Sequence, residues 1–282
     1  CVYCIFAEKA FIQMRHRRTS RLPLRGSRHA EGVTEGVVDS RLSQCYNEAK
    51  LANKRILEDT HMANTPAFDL DAFGNVPMNC MTLIAGRAAS ATGHVLVGHN
   101  EDDGGHIVVR HGYVPPRDWA AGAAMPAEKG CAAIPQAAHT LGYYWVEYRK
   151  DETGLSNADG FVNECGVVIT SNSMGTSRES ADNAACVKDG GIAYNLRRAL
   201  AERAQTARDG ARILMELVDE WGYAPSGRAY TIADQSEAFM FQLARGRHYM
   251  GARVPDDAIA VMPNHFNLHG LNDYPEQFYP AD

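Results

Sequence analysis

The pattern of hydrophobic and polar positions changes near residue 80. From there on, short apolar runs alternate with turn-forming residues, which is typical of β-strands joined by tight connections. In the first half of this region the pattern predicts strands over 81–85, 94–98, 106–114, 143–149 and 167–171. Ser90-Ala91-Thr92-Gly93 predicts a hairpin connection between the first two strands. The segment 160–166 is rich in turn formers and is interpreted as a connection leading into the fifth strand.

A helical period replaces the strand pattern after residue 190. The first stripe consists of Ile192, Leu196, Ala199, Leu200 and Arg203. The second stripe, at spacings of i, i+3, i+4 and i+7, consists of Leu214, Leu217, Val218 and Trp221. Thr206 and Asp209 match a capping box, and Gly222 supplies a stop signal. The pattern therefore predicts a pair of consecutive helices.

Strand patterns return after the helices, over 228–233, 238–243, 248–254 and 258–262. The first two links between them have hairpin length, so we interpret the four runs as an antiparallel meander. Strands, then a helix pair, then further strands indicate an α+β fold in which helices pack on a sheet.

Composition and charge argue against nucleic-acid-binding, membrane-binding and membrane-spanning proteins. The chain has 282 residues, of which 45% are hydrophobic and 22% charged, which is typical of globular proteins. Its net charge of −6 gives no electrostatic case for nucleic acid or an anionic membrane as a partner. No apolar stretch approaches the roughly 18 residues of a membrane span.

The first 79 residues differ from the rest. Six arginines crowd positions 15–28, and neither a helical nor a strand period persists, although 42–57 has modest helical amphipathicity. We interpret 1–79 as a poorly ordered leader, a propeptide or non-native upstream sequence, and 80–282 as the domain. The first residue is Cys rather than Met, which indicates a partial reading frame.

The seven cysteines are an odd number at irregular spacing. Only Cys1 and Cys4 form a CxxC pair, and no second pair completes a zinc site. The start of the chain has no basic region ahead of its apolar run, so a secretory signal is not supported. We therefore expect reduced thiols and a cytoplasmic location.

Cys80 is the residue with the most distinctive chemical context. It precedes the first strand, and the second strand ends in the polar run Gly98-His99-Asn100-Glu101-Asp102. A thiol in this context suits a hydrolase whose nucleophile is the first residue of the mature chain, because the freed α-amine can serve as its base. An α-amine has a pKa of about 7.7–8.0 and a thiol about 8.5, so proton transfer between them costs little. The alternative is an inert buried thiol.

Several motifs resemble one known family, the dipeptidase A family of cysteine-type N-terminal-nucleophile hydrolases. These motifs are Cys80-Met-Thr-Leu-Ile-Ala-Gly, Gly-His-Asn-Glu-Asp, Val162-Asn-Glu-Cys-Gly-Val, the helix end at 217–223, the segment 252–258, and Pro263-Asn-His-Phe. They follow the family's order over 80–282. The resemblance implies an αββα four-layer sandwich and hydrolysis of dipeptides after autoprocessing that frees Cys80. Family members are longer, so we expect the C-terminal part of the fold to be missing, leaving an exposed hydrophobic face.

The resemblance also implies roles for individual residues. Asp102 would orient the ammonium beside the thiol, although a solvated loop acid is the alternative reading. Asn172 and Asn264 would hold the oxyanion or position the substrate, although asparagine after a strand is common for turn reasons alone. His99 stands where the wider superfamily often has Arg, which leaves binding of a substrate carboxylate there in doubt. Asn163 has a structural reading as an Asx-turn residue.

No cofactor or metal is expected. The polar segment 99–111 contains metal-ligand residue types, but they do not have the spacing of a known site. The expected partners are small dipeptides, with no nucleic acid and no membrane, and a homo-oligomer is left open. Two alternatives also stay open: an amidase or acylase acting on non-peptide amides, and an inactive truncated fragment.

Overall fold

The structure, a computed structural model, describes residues 2–5, 80–101, 107–126, 128–150, 156–174 and 187–280. All of them belong to one unit of the chain. Residues 6–79 lie outside the described residues, and so does the predicted helix over 42–57. The division of the chain into a leader and a domain at residue 80 therefore stays a prediction.

The described elements follow the predicted order of strands, helix pair and strands. The strands are β1 Val2–Ile5, β2 Met81–Ala85, β3 Leu96–Asn100, β4 Ile107–Val114, β5 Arg117–Asp118, β6 His139–Thr140, β7 Tyr143–Lys150, β8 Ser156–Asn163, β9 Val168–Ser173, β10 Tyr223–Ala233, β11 Ala238–Gly246, β12 His248–Arg253, β13 Ile259–Met262 and β14 Gln277–Phe278. The helices are α1 Asn195–Arg203 and α2 Ala207–Trp221, and a short 3-10 turn covers Leu271–Asp273.

Two antiparallel sheets organise these strands. The small sheet has the order β1-β3-β2-β13, and the large sheet has the order β14-β12-β11-β10-β9-β8-β7-β4. A separate pair, β5 and β6, completes the pattern. Both helices pack on the large sheet, α1 against β8 and β9 and α2 against β10 and β11.

Two hydrophobic cores show how the layers stack. One core joins α1 and α2 to the outer face of the large sheet, and it includes Leu200, Leu214 and Phe241. The other joins the large sheet to the small sheet, and it includes Ile84 and Met240. The layers therefore run helices, large sheet, small sheet. The predicted α+β fold is confirmed, and this order matches three of the four layers that the family resemblance implies.

The outer face of the small sheet is apolar and exposed. Leu83 lies opposite Val261, and Ala85 lies opposite Ile259, so these residues form one continuous surface. Leu83, Val261 and Ile259 are 46%, 40% and 53% exposed. The opposite face of the same sheet contributes to the core between the sheets, which is why burial alternates along β2.

The second helix begins and ends at the predicted signals. The Thr206 hydroxyl accepts a hydrogen bond from the Asp209 backbone N–H at 3.0 Å, and the Asp209 carboxylate accepts from the Gln205 backbone N–H at 3.0 Å. Gly222, with φ at 74°, ends the helix in a conformation that favours glycine. Within the described part of the chain, neither helix is long and apolar enough to cross a membrane.

Replacing Thr206 by Ala is expected to lower the free energy of unfolding by about 1 kcal/mol, because the Asp209 N–H then has no side-chain acceptor. Urea denaturation measures the loss, and Thr206→Ser, which keeps the hydroxyl, is the matched control. Equal stability of the Ala and Ser variants would contradict the assignment of this cap.

Two strand predictions were wrong. β8 was missed because its sequence, SNADGFVN, is rich in turn formers, yet it lies inside the large sheet between β7 and β9. Pairing on both sides overrides weak local preference. The run at 258–262 is not the last strand of a meander, because β13 leaves the large sheet and pairs with β2 in the small sheet.

The crossing from β12 to β13 has a specific anchor. The Asp256 carbonyl accepts hydrogen bonds from the backbone N–H groups of Ala88 and Ala89, and its carboxylate binds both Arg87 and Arg253 at 2.7 Å. The hydrogen bond from Arg87 is the main reason that the pKa of Asp256 lies below its usual value. A side chain at position 86 would overlap the backbone of 255–256, so the close contact between these two segments requires glycine at Gly86. This anchor brings β13 alongside β2.

Candidate active site between the two sheets

Cys80 lies immediately before β2 and points toward the large sheet. Cys80, Thr82 and Ile84 are buried, whereas Met81 and Leu83 are exposed, as the period of two in a strand requires. The Cys80 side chain is only 2% exposed and is not in a disulfide. The predicted nucleophile therefore lies at the edge of the layer between the sheets.

The strands on either side of β2 bring further polar residues to the same end. Met81 pairs with Asn100, so Glu101, which follows Asn100, lies at the end of the sheet where Cys80 precedes Met81. On the other side Thr82 pairs with Met262, so the chain after Met262 continues toward Cys80 and carries Asn264 there. The structure thus places Asn264 toward the same end of the small sheet as the predicted nucleophile.

A buried polar cluster lies just behind Cys80 and consists of Thr82, His99, Thr170 and Asn172. None of these residues is more than 4% exposed. The Thr82 hydroxyl oxygen lies 2.9 Å from His99 Nδ1 and donates to Asn172 Oδ1 at 2.7 Å. Thr170 Oγ1 lies 3.4 Å from the same hydroxyl. The cluster joins β2 and β3 of the small sheet to β9 of the large sheet.

Asn172 and Asn264 hold the two sheets together by a reciprocal pair of hydrogen bonds. Asn172 Nδ2 donates to the Met262 carbonyl at 3.0 Å, and Asn264 Nδ2 donates to the Ser173 carbonyl at 2.6 Å. Each asparagine thus bonds the backbone next to the other one. Asn172 lies inside β9 and not after its end, because the strand extends two residues beyond the predicted limit.

The unused hydrogen-bond donors and acceptors of these two amides decide what they can do chemically. Each Nδ2 carries two hydrogens, and one of them is used on a backbone carbonyl. Asn264 Oδ1 is buried and has no hydrogen-bond partner in the part of the chain that the structure describes. The pair could therefore offer one N–H from each side chain to a ligand, while Asn264 also presents an acceptor.

Asp102 lies outside the described residues, so its predicted contact with the thiol and its amine stays a prediction. Its neighbour Glu101 is described, with a side chain that is 10% exposed and an Oε2 atom 3.5 Å from His99 Nε2. No group of three or more His, Cys, Asp or Glu side chains among the described residues could hold a metal ion.

The other described thiols have a different environment. Desolvation raises the pKa of Cys165, and the carboxylate of Glu164 raises it further. Desolvation also raises the pKa of Cys131, and the carboxylate of Glu128 raises it further. Both effects oppose formation of the thiolate, which is the nucleophilic form. Neither thiol has features of an activated nucleophile.

Asn163 has the structural role that was predicted for it. Its Oδ1 accepts from the backbone N–H of Cys165 at 3.1 Å, which is an Asx turn, and from that of Val167 at 3.0 Å. Its Nδ2 donates to the carbonyls of Ala201 and Ala204 at the end of α1. All its polar atoms are used in holding the β8–β9 turn against the helix.

Sequence reasoning missed Thr82, Thr170 and Glu101. The signal for Thr82 was present, since a residue two positions after Cys80 in a strand must share its face. Thr170 precedes Asn172 by two residues on β9 and shares its face for the same reason. For Glu101 no such local rule applies, because its place beside Cys80 depends on the pairing of β2 with β3.

Two surface cavities do not coincide with this site. One of about 740 Å³ lies by α2 and is lined by residues such as Arg203 and Arg212. Another of about 490 Å³ lies along β13 and includes Ile259 and Leu268 in its lining. Cys80 lines neither of them.

The sequence of this chain is similar to one peptidase family and to proteins named as dipeptidases. The protein-family model described as Peptidase family C69 matches residues 79–279 of the chain. Probable dipeptidase B of Streptococcus pyogenes serotype M6 is 27% identical over 207 residues, which cover 72% of this chain and 40% of that protein. Dipeptidase A of Lactobacillus helveticus is 26% identical over 211 residues, covering 72% and 44%. The chain thus spans less than half the length of these relatives.

Among solved structures, penicillin V acylase from Agrobacterium tumefaciens is 12% identical, with a TM-score of 0.36. The match covers 66% of this chain and 49% of the acylase chain. With a TM-score of this size, no conclusion about the fold is drawn from the acylase.

Proposed function

Because the chain belongs to peptidase family C69, we propose that residues from Cys80 onward form the nucleophile-bearing part of a cysteine dipeptidase. The observation that carries the proposal is the position of Cys80. It stands just before a strand whose inner face carries Thr82, which bonds Asn172, and at the end of the small sheet toward which the chain carries Asn264. Curated relatives named as dipeptidases share this region.

The first step of the proposed chemistry frees the base. The Cys80 thiol attacks the Asn79 carbonyl, the peptide nitrogen of Cys80 leaves as an amine, and a thioester links Asn79 to the sulfur. Water then hydrolyses the thioester and releases residues up to Asn79. An amide nitrogen cannot accept a proton from the thiol, so hydrolysis of substrates requires this step.

The second step repeats the attack on a dipeptide. The α-amine takes the thiol proton, the sulfur attacks the scissile carbonyl, and the resulting ammonium protonates the departing amine. Water then hydrolyses the acyl-enzyme and restores the thiol. Asp102 would stabilise the ammonium charge during this cycle, because an opposite charge nearby favours the charged form.

Asn172 and Asn264 would stabilise the tetrahedral oxyanion with the second hydrogen of each Nδ2. A neutral amide donor stabilises developing negative charge without titrating itself. The bonds that both amides make to backbone carbonyls support this role, since they hold each donor in one orientation before the substrate arrives. Such preorganisation is what makes oxyanion donors effective.

Two measurements on the purified full chain test the proposal together. Intact mass with N-terminal sequencing is expected to show a mature chain that begins at Cys80. A substrate panel is expected to show hydrolysis of dipeptides in preference to non-peptide acyl amides. A chain that hydrolyses dipeptides while Cys80 stays linked to Asn79 would overturn the mechanism, and preference for acyl amides would reassign the substrate class.

A further inference from the structure

We propose that His99 is a positioning residue that acts through the Thr82 hydroxyl on Asn172, and that His99 carries protons on both ring nitrogens. The proposal rests on the proposed function, because Asn172 matters for catalysis only if it is an oxyanion donor. The protonation of His99 is inferred from its contacts with Thr82 and Glu101 and does not depend on activity.

The orientation of the Asn172 amide is determined first. Its contact on β13 is the Met262 carbonyl, which can only accept a hydrogen bond, so Nδ2 must face Met262. The Oδ1 atom must then face Thr82, 2.7 Å away. An amide oxygen can only accept, so the Thr82 hydroxyl must donate its hydrogen to Asn172.

The tautomer of His99 follows from the state of Thr82. A hydroxyl has one hydrogen, and that of Thr82 is used on Asn172. His99 Nδ1 lies 2.9 Å from the same hydroxyl oxygen, so the bond between them forms only if Nδ1 carries the proton. The second lone pair of Thr82 faces the Thr170 hydroxyl at 3.4 Å, which saturates the oxygen.

The other ring nitrogen faces a carboxylate. His99 Nε2 lies 3.5 Å from Glu101 Oε2, within the range of an ion pair. A carboxylate and an unprotonated nitrogen repel each other, whereas a protonated nitrogen is attracted. Because Nδ1 already carries a proton toward Thr82, a second proton on Nε2 makes His99 an imidazolium ion, and the residue is only 4% exposed.

The functional consequence concerns the direction of one amide. If the hydroxyl of Thr82 stopped donating, Nδ2 of Asn172 would still face the Met262 carbonyl, but Oδ1 would lose its donor and the amide would be held less firmly. Its second N–H could then turn away from the position where the oxyanion forms. His99 opposes this by keeping one lone pair of Thr82 occupied, so that the Thr82 hydrogen points to Asn172.

Four variants test the relay by catalysis. Asn at position 99 places an amide nitrogen near the site of Nδ1, whereas Gln places its amide near Nε2. His99→Gln and Thr82→Val are therefore expected to lower kcat by about 10- to 100-fold with little change in KM, since an oxyanion donor is worth about 100-fold or more. The conservative partners His99→Asn and Thr82→Ser are expected to recover most of that loss. Equal losses in His99→Asn and His99→Gln would overturn the relay.

The protonation of His99 has a direct readout in the wild-type chain. Two-bond correlation of ring protons with ring nitrogens in ¹⁵N-histidine-labelled protein distinguishes the two neutral tautomers from the imidazolium. The signal of His99 is the one that His99→Asn removes. We expect both nitrogens to be protonated at pH 7. An unprotonated Nδ1 or an unprotonated Nε2 would overturn the proposal whether or not the protein hydrolyses dipeptides, and a failure of the dipeptidase assignment would leave this signal unchanged.

Discussion

Replacing Cys80 by Ala is expected to abolish dipeptide hydrolysis, with a loss of at least about 10⁴-fold in kcat/KM, because loss of a covalent nucleophile removes the reaction path itself. Cys80→Ser is expected to lose activity as well, since a hydroxyl gives up its proton to an α-amine far less readily than a thiol does. The measurement is hydrolysis of a dipeptide by purified protein at matched concentrations.

The matched control for this loss is Cys165→Ala. Cys165 lies exposed in the β8–β9 turn, and its thiol has a raised pKa. We expect this variant to hydrolyse dipeptides as fast as the wild type. Equal activity of the Cys80 and Cys165 variants would reject Cys80 as the nucleophile. Intact mass adds a second readout, since Cys80→Ala should also keep the residues before position 80.

Replacing Asn163 by Leu is expected to lower the free energy of unfolding by about 4 kcal/mol or more. Asn163 is fully buried, and its amide serves four backbone groups, two N–H donors and two carbonyls. Leu has a similar size but removes the amide partner of all four. Three of those bonds are buried, and each buried unsatisfied group costs about 1–3 kcal/mol. The loss is a large fraction of the total of about 5–15 kcal/mol that is typical of a folded domain.

Urea denaturation followed by circular dichroism measures this effect through the transition midpoint. Cys165→Ala again provides the control, because it changes a side chain in the same turn and keeps the backbone N–H that bonds Asn163. We expect its stability to differ from the wild type by no more than about 0.5 kcal/mol. A midpoint for Asn163→Leu equal to that of the control would show that the buried amide is not required for the turn.

The segment 252–258 shows how a motif can be recognised before its purpose is known. In the sequence it is one of the motifs that resemble the family, and no chemistry is assigned to it there. The structure explains it as the crossing between two sheets, where Arg253 and Asp256 form an ion pair and the Asp256 backbone binds the loop after β2. Its contribution to the site is indirect, because it delivers Asn264 to the end of the sheet where Cys80 lies.

Local patterns determined most of the individual elements. β2 was predicted with both of its ends, and α2 with its capping residues, because strand alternation and helix capping depend on neighbouring residues alone. β8 was missed and β13 was assigned to the wrong sheet for the opposite reason. The first is a strand because of its neighbours in the large sheet, and the second changes sheets through contacts with the loop after β2.

The sequence by itself determined the candidate nucleophile, since a thiol at the start of a strand within a recognisable set of motifs needs no knowledge of distant contacts. It also identified both asparagines. Only the tertiary structure decided what those asparagines do in the fold. Thr82 and Asn172 are 90 residues apart in the chain, and Asn264 and Ser173 are 91 apart. The direction of each hydrogen bond there depends on how one sheet lies on the other, and no pattern of neighbouring residues contains that information.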